Sequence, residues 1–373
     1  MLEAINSVPD FRRDSKGNFR HSLCDIILLL IIARLAGCAS RREVVAFAGR
    51  KHAQLKKLGI LRNGIPSEPT LCRVENNVDP SEMERIAACI AEEAASLTKL
   101  GLLRQVAIDG KCMRGTTLPN GRCPDIVSAY SVETGTTLRT EPCEEKSNEI
   151  TAVPKLLERM NLEGCIVTAD AMSCQKKIID AINSKGGKFL IEVKSNQKNL
   201  LWGLEDRLPG ARRLDCHREE PTLRHGRIES RTCTTYDGRD LVADQDKWGY
   251  SITAIIIDTS AIIKKTGEET HERRVYITDV SAGAKTCSAI SRSHWMIESM
   301  HWSLDKNLGQ DSTKRKYLNG ARVLDIIQRA CLNIIAVWKS KRRKKSDREK
   351  GNARILTDLT YNIPLIKKFL ALS

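Results

Sequence analysis

The first hundred residues carry a helical rhythm. Residues 23–36 are almost unbrokenly apolar and stop at Gly37, and Ser40 with Glu43 three positions later is a capping-box signature that opens a second helix to about His52. Residues 69–78 predict a short third helix. Asp79 followed by Pro80 places an N-cap and a first-turn proline before a fourth, running to about Leu97. After Gly101 the period shortens. Residues 105–109 predict a buried strand followed by Gly110, and residues 126–132 and 136–141 predict two strands joined at Glu133-Thr134-Gly135, a hairpin signal. Residues 148–160 read as a helix bent or interrupted at Pro154. A short apolar strand at 165–169 then ends at Asp170. An amphipathic helix at 173–184 closes at Gly186-Gly187, and a further strand covers 188–193. Between about 206 and 281 the β-rich runs 228–236, 251–257 and 274–280 predict a strand-rich insertion. Residues 284–307 predict one long helix and 320–339 another.

Three strands, a helix, a strand, a helix and a fifth strand make an α/β pattern in which a hairpin meander feeds a parallel section. The length, 373 residues, suggests two or three domains. The expected division is a helical domain over 1–100, an α/β domain over 101–338 containing the insertion at about 206–281, and a basic tail over 339–373.

Composition narrows the class. A hydrophobic share of 41% and a charged share of 29% exclude a disordered or low-complexity chain, and 4% aromatic residues leave the core to Ile, Leu, Val and Ala. The longest apolar run, 26–33, lies between Asp25 and Arg34 and falls short of the roughly 20 residues a bilayer helix needs. No secretory leader precedes it, so a cytoplasmic protein with no membrane partner is expected. The 13 cysteines are scattered without a C-x-x-C pair, which argues against a zinc site and fits a reducing compartment. Lys and Arg number 61 against 46 Asp and Glu, a surplus of +15. Such a surplus favours a polyanionic partner, since cations that meet phosphates release condensed counterions. It is densest over 339–350, read as an arm lying along a nucleic-acid backbone. The basic N-terminal helices fit either a DNA-reading module or a packed domain with a solvated basic face.

Three carboxylates stand out. Asp109 and Asp170 each end an apolar strand, where Asp is poor in propensity and costly to bury unpaired, so two such ends side by side make an oxygen-rich site for a hard cation such as Mg²⁺. The third is Glu298: on the helix around it His294, Glu298, His301 and Asp305 share one face. Trp295 and Trp302 are expected to form the neighbouring apolar seam that presses this helix onto the core. A two-metal site for phosphodiester chemistry needs several carboxylates. The competing reading is a mononuclear site on the His/Glu/His/Asp stripe.

These positions fall within a series of short stretches: Pro9-Asp-Phe-Arg12; Ala107-Ile-Asp-Gly-Lys111 with Arg114; Glu145-Lys-Ser-Asn-Glu-Ile150; Thr168-Ala-Asp-Ala-Met172 with Cys174-Gln175; Val193-Lys-Ser-Asn-Gln197; His225-Gly-Arg-Ile-Glu229; and His294-Trp-Met-Ile-Glu298 with His301-Trp-Ser-Leu-Asp305. In this order, from about residue 5 to 338, the chain resembles the H-repeat-associated insertion-sequence transposases, a group of DDE-type enzymes. The resemblance implies a ribonuclease-H-like mixed-sheet core that cuts double-stranded DNA at transposon ends and joins the freed 3′-OH to target DNA. It implies two Mg²⁺ ions, with Mn²⁺ as an alternative, and a homo-oligomer when two ends are paired on DNA. Its acidic triad maps onto Asp109, Asp170 and Glu298. Its DNA contacts map onto Lys111, Arg114, Lys194, Asn196, Gln197, His225, Arg227 and His294. Ser299, Cys112-Met113 and Gln310 depart from the family pattern without removing a metal ligand. Two other classes share these features: a nuclease of the same fold without strand transfer, and a catalytically inactive DNA-binding relative.

Overall fold

A computed structural model describes residues 1–12, 19–99, 101, 104–143, 149–224, 226–242 and 252–370. The N-terminal hundred residues form helices α1 (Leu2–Asn6), α2 (Leu23–Leu35), α3 (Arg41–Lys57), α4 (Glu68–Asn77) and α5 (Pro80–Leu97). Their starts follow the capping signals. The Ser40 hydroxyl accepts from the Glu43 N–H while the Glu43 carboxylate accepts from the Ser40 N–H, and Asp79 accepts from the Ser81 N–H ahead of Pro80. Helix α2 ends where Gly37 takes a positive φ of 83°. Helix α3 runs past His52 to Lys57, gaining the buried Leu55.

Strand β1 spans Arg104–Cys112, β2 Asp125–Ser131 and β3 Thr136–Pro142. They are followed by α6 (Glu149–Glu158), β4 (Cys165–Ala169), a 3₁₀ turn at Ala171–Ser173, α7 (Lys176–Ser184), β5 (Lys188–Val193) and α8 (Lys198–Asp206). Next come β6 (Arg213–Arg218), β7 (Thr222–Arg224), β8 (Arg227–Asp237), α9 (Gly238–Leu241), β9 (Thr253–Ile263) and β10 (Glu269–Thr278). The C-terminal helices are α10 (Ala284–Ser293), α11 (Trp295–Lys306), α12 (Leu318–Ser340), α13 (Lys345–Arg348), α14 (Asn352–Tyr361) and α15 (Ile363–Leu370). Among the described residues no helix is long and apolar enough to cross a membrane.

Two sequence expectations change here. Asp109 does not end β1, which continues to Cys112. The single helix expected over 284–307 is interrupted at His294, where the Ile297 N–H bonds the His294 carbonyl three residues back (3.1 Å) instead of the one four back.

The chain divides into two units. One comprises Met1–Leu100, Gly110–Lys146 and Glu298–Ser373. Its centre is α12, buried along most of its length and packed on α2, α4, α5 and β3. Strands β2 and β3 form an antiparallel hairpin, and Asn333 of α12 serves the outer strand: it accepts from the Thr137 N–H (2.8 Å) and donates to the Thr137 carbonyl (2.9 Å). Gln310 is buried and donates to Asp325 (2.9 Å) and Gln328 (3.0 Å), so an amide fills a place among polar partners of α12. The described residues after 340 form three further helices, α13 to α15. Helix α14 buries Ile355, Leu356 and Leu359, and the Thr360 hydroxyl donates to the Ala36 carbonyl (3.1 Å). The charge run at 339–350 hid this apolar face, which begins only after Gly351.

The other unit comprises Gly101–Asp109 and Ser147–Ile297. Strand β1 lies parallel to β4, and β4 parallel to β5. The strand-rich segment is no separate layer: β10 pairs antiparallel with β5, then β9, β8 and β6 follow antiparallel in turn, with β7 on β8. Ile166, Leu190, Ile255, Ile257, Cys287 and Ile290 belong to its core. The strand order is 3-2-1 in the first unit and 1-4-5 in the second, with the last two steps parallel, and β1 is divided between them at Asp109. The mixed α/β class expected for a ribonuclease-H-like core is the one observed.

Candidate active site

The register of two strands assembles the site. β1 and β4 pair in parallel from Arg104↔Cys165 to Ile108↔Ala169, so the next residue on each strand is a carboxylate, Asp109 and Asp170. The two acids are therefore neighbours just past the last paired residues, Asp109 within β1 and Asp170 at the end of β4, both half-buried. β4 stops there because Asp170 caps the 3₁₀ turn, its Oδ1 accepting from the Ser173 N–H (3.3 Å). Burial pushes the Asp170 carboxyl above the ordinary carboxylate range and the neighbouring Asp109 charge adds to the rise, against the opposing pull of the Ser173 and Met172 N–H groups and the Lys194 ammonium.

The residues expected after β5 support this turn. Asn196 Nδ2 donates to the Ala171 carbonyl (2.6 Å) and Gln197 Nε2 to the Cys174 carbonyl (2.8 Å). Both amide nitrogens are thus committed to the backbone that positions Asp170, a structural role the sequence did not announce. Lys194 is exposed and pairs with Glu192 at 2.9 Å. Below the acids runs a polar chain that sequence reasoning missed. Ser293 Oγ donates to Gln105 Oε1 (2.5 Å), and Gln105 Nε2 donates to Thr168 Oγ1 (3.1 Å) and to the Ile290 carbonyl (2.9 Å). Thr168 Oγ1 lies 2.9 Å from His294 Nδ1. His294 is therefore tied to β4 two residues before Asp170. Gln105 had no signal in the sequence beyond being a polar residue in an apolar strand.

Helix α11 carries Glu298 on an exposed face. The seam expected on this helix is wrong: Trp295 and Trp302 are 53% and 57% exposed, while Ile297, Met300 and Leu304 are buried. Those three recur at helical spacing, and the tryptophans fall on the opposite side; Trp295 instead lies under the Arg274 guanidinium, 5.5 Å from it. Lys111 is also not placed for phosphate. Its ammonium is buried, 2.7 Å from Asp305 and 3.2 Å from Asp311, so it answers two carboxylates of its own unit, and Asp305 is an ion-pair partner instead of a solvated charge. Arg114 is exposed after β1, and Arg227 is exposed at the start of β8. His225 and residues 144–148, which carry part of one matching stretch, lie outside the described residues.

Among the described residues no group of three or more His, Cys, Asp and Glu side chains is gathered to hold a metal ion. The pair Asp109 and Asp170 fits a hard divalent cation nonetheless. It offers carboxylate oxygens from two adjacent strands, and one of the two binds its proton more tightly because burial and a like charge penalise its ionised form, a penalty that a cation relieves.

The chain is similar to known proteins over most of its length. Residues 101–334 match the family model described as "Transposase DDE domain", and residues 2–90 match the one described as "DDE_Tnp_1-associated". The chain is 32% identical over 344 residues to "Putative transposase YncI" of Escherichia coli O157:H7, covering 90% of this chain and 87% of that protein. It is 30% identical over 358 residues to "H repeat-associated putative transposase YhhI" of Escherichia coli strain K12, covering 92% and 93%. It is 33% identical over 212 residues to "H repeat-associated putative transposase YbfD" of the same strain, covering 56% and 81%. With two neighbouring carboxylates set by strand register and a family match over most of its length, the chain belongs to the DDE transposase family.

Proposed function

We propose that this protein cuts double-stranded DNA at the ends of an insertion sequence and joins the freed 3′-OH to target DNA, with Asp109, Asp170 and Glu298 as the ligands of two Mg²⁺ ions, Mn²⁺ being an alternative. The observation that carries this reading is the side-by-side emergence of Asp109 and Asp170 from parallel strands. When bound, divalent cations supply Lewis-acid neutralisation of charge building on the scissile phosphate. The chain's own residues do the rest. Asp109 and Asp170 provide fixed oxygen donors; Asn196 and Gln197 hold the Asp170 turn, and the Gln105–Thr168–His294 chain holds the strands beneath it. Lys194, Arg227 and Arg114, all exposed, are the cations assigned to the DNA backbone, where phosphate contacts position without reading sequence. A homo-oligomer pairing two transposon ends completes the reading.

The test is cleavage of donor DNA carrying the insertion-sequence ends, in Mg²⁺. Asp109→Asn abolishes strand cleavage and leaves DNA binding within about twofold, because the phosphate contacts lie on other residues. A variant that cuts at the wild-type rate refutes the assignment. Joining of pre-cut ends to a target plasmid separates the transposase from a nuclease of the same fold, which hydrolyses without joining.

A further inference from the structure

In the first unit a cleft of about 530 Å³ is lined by Arg114, Thr117, Lys314, Lys316 and Tyr317, together with Asp311 and Arg315. Two chain segments are laced together to make it. Thr116 bridges to Arg315, the Arg315 N–H donates to the Gly115 carbonyl (3.3 Å), and the Thr117 N–H donates to the Arg315 carbonyl (3.3 Å). The approach is so close that a Cβ at Gly115 would meet the carbonyl oxygens of Asp311 and Thr313 at 2.7 Å and that of Gln310 at 2.8 Å. The cleft is thus a fixed feature of the fold.

Its charges sort themselves. Asp311 is answered by Lys111 at 3.2 Å, and Arg315 is buried against Glu75 at 3.0 Å. Arg114, Lys314 and Lys316 are exposed at the opening. Tyr317 is 62% exposed, an aromatic ring standing in water, and it is also the N-cap residue of the 23-residue helix α12, whose dipole adds positive potential at that end. Cations alone would serve a duplex backbone. A bare ring among three cations, in a cleft with the volume of a small-ligand site, has the composition of a platform for an unpaired base.

We propose that this cleft takes an unstacked stretch of a DNA strand, one base lying on the Tyr317 ring and the flanking phosphates held by Arg114, Lys314 and Lys316. The proposal rests on DNA being the substrate, and it adds a strand form and a place for it that the Asp109–Asp170 pair does not supply.

Binding by the full-length chain tests it, read by fluorescence anisotropy with a labelled oligothymidine strand and a labelled hairpin duplex at fixed salt. Tyr317→Ala should weaken single-strand binding about tenfold, the usual effect of losing one base–aromatic stack, and leave duplex binding within about twofold. Tyr317→Phe keeps the ring and should bind both as the wild type does. Lys314→Ala with Lys316→Ala should flatten the salt dependence of single-strand binding. Equal single-strand affinity in wild type and Tyr317→Ala overturns the proposal, as does an equal loss in Tyr317→Phe. A wild-type chain that binds and cuts duplex but ignores the single strand overturns this proposal alone; one that binds no DNA overturns the functional reading with it. Cleavage of duplex ends reports on the carboxylates and single-strand binding on the cleft, so failure at one and failure at the other are read separately.

Discussion

Asp170→Asn isolates the electrostatic cost built into the acidic edge. Asn keeps an Oδ1 acceptor for the Ser173 N–H, so the 3₁₀ turn retains its cap while the charge goes. Adjacent strands lie about 4.8 Å apart, so two ionised carboxylates at neighbouring positions on them repel by roughly 3 kcal/mol at an effective dielectric of about 20. Both groups are only half-buried, and screening by water and salt reduces this to about 1 kcal/mol. The sign follows from the direction of the Asp170 shift. The folded protein holds this proton more tightly than the unfolded chain, whose carboxyl has its ordinary value near 3.8. Ionisation therefore costs stability: the penalty is absent below about pH 3.8 and fully developed once the pH has risen through the elevated folded value. Without divalent cations, Asp170→Asn should melt about 2–4 °C above the wild type at pH 7, with the gap closing towards pH 3. Mg²⁺ at millimolar concentration should raise the melting temperature of the wild type and not that of the variant. Thermal melts by circular dichroism at four or five pH values, with and without Mg²⁺, suffice. A variant that melts at or below the wild type at pH 7, or whose gain persists undiminished at pH 3, refutes the argument.

Other expectations follow from contacts already described. Asn333→Leu strips the Thr137 N–H and carbonyl of their partners on the outer strand; at about 1–3 kcal/mol for each buried group left unsatisfied, a loss of about 2–6 kcal/mol should appear in urea unfolding. Glu75→Gln removes the counter-charge of Arg41 (2.6 Å) and Arg315 (3.0 Å), the latter already pushed down to about 10 by burial, and should destabilise by about 3–5 kcal/mol in the same assay. Asn196→Ala should slow cleavage at least tenfold while DNA affinity stays within about threefold, since its amide holds the Ala171 carbonyl; a matching loss of both would make it a DNA contact instead.

The chain announces its secondary structure more plainly than its polar wiring. Caps at Ser40 and Asp79 and the strand ending at Ala169 follow from local chemistry, because N-caps and apolar runs act within a few residues. Asp109 and Asp170 could be paired from sequence because both follow apolar strands in a parallel section. What the sequence hid at the polar positions depended on neighbours far along the chain. The ion pairs of Lys111 with Asp305 and Asp311 span some 200 residues, and the bonds from Asn196 and Gln197 to the backbone of residues 171–174 need two separate segments to meet. The tryptophans of α11 misled for a different reason. Their size suggests a core, but the helical period of Ile297, Met300 and Leu304 decides which side is buried.

The amide of Asn333 has an implication for the life of the protein in solution. Strand β3 is the last of its row, and an outermost strand with bare N–H and carbonyl groups is a template on which a foreign strand can zip itself. By imitating, with one side chain, the pair of bonds a neighbouring strand would make at Thr137, α12 closes that template from within. Removing the amide should therefore leave a species that clumps sheet to sheet as well as a less stable one.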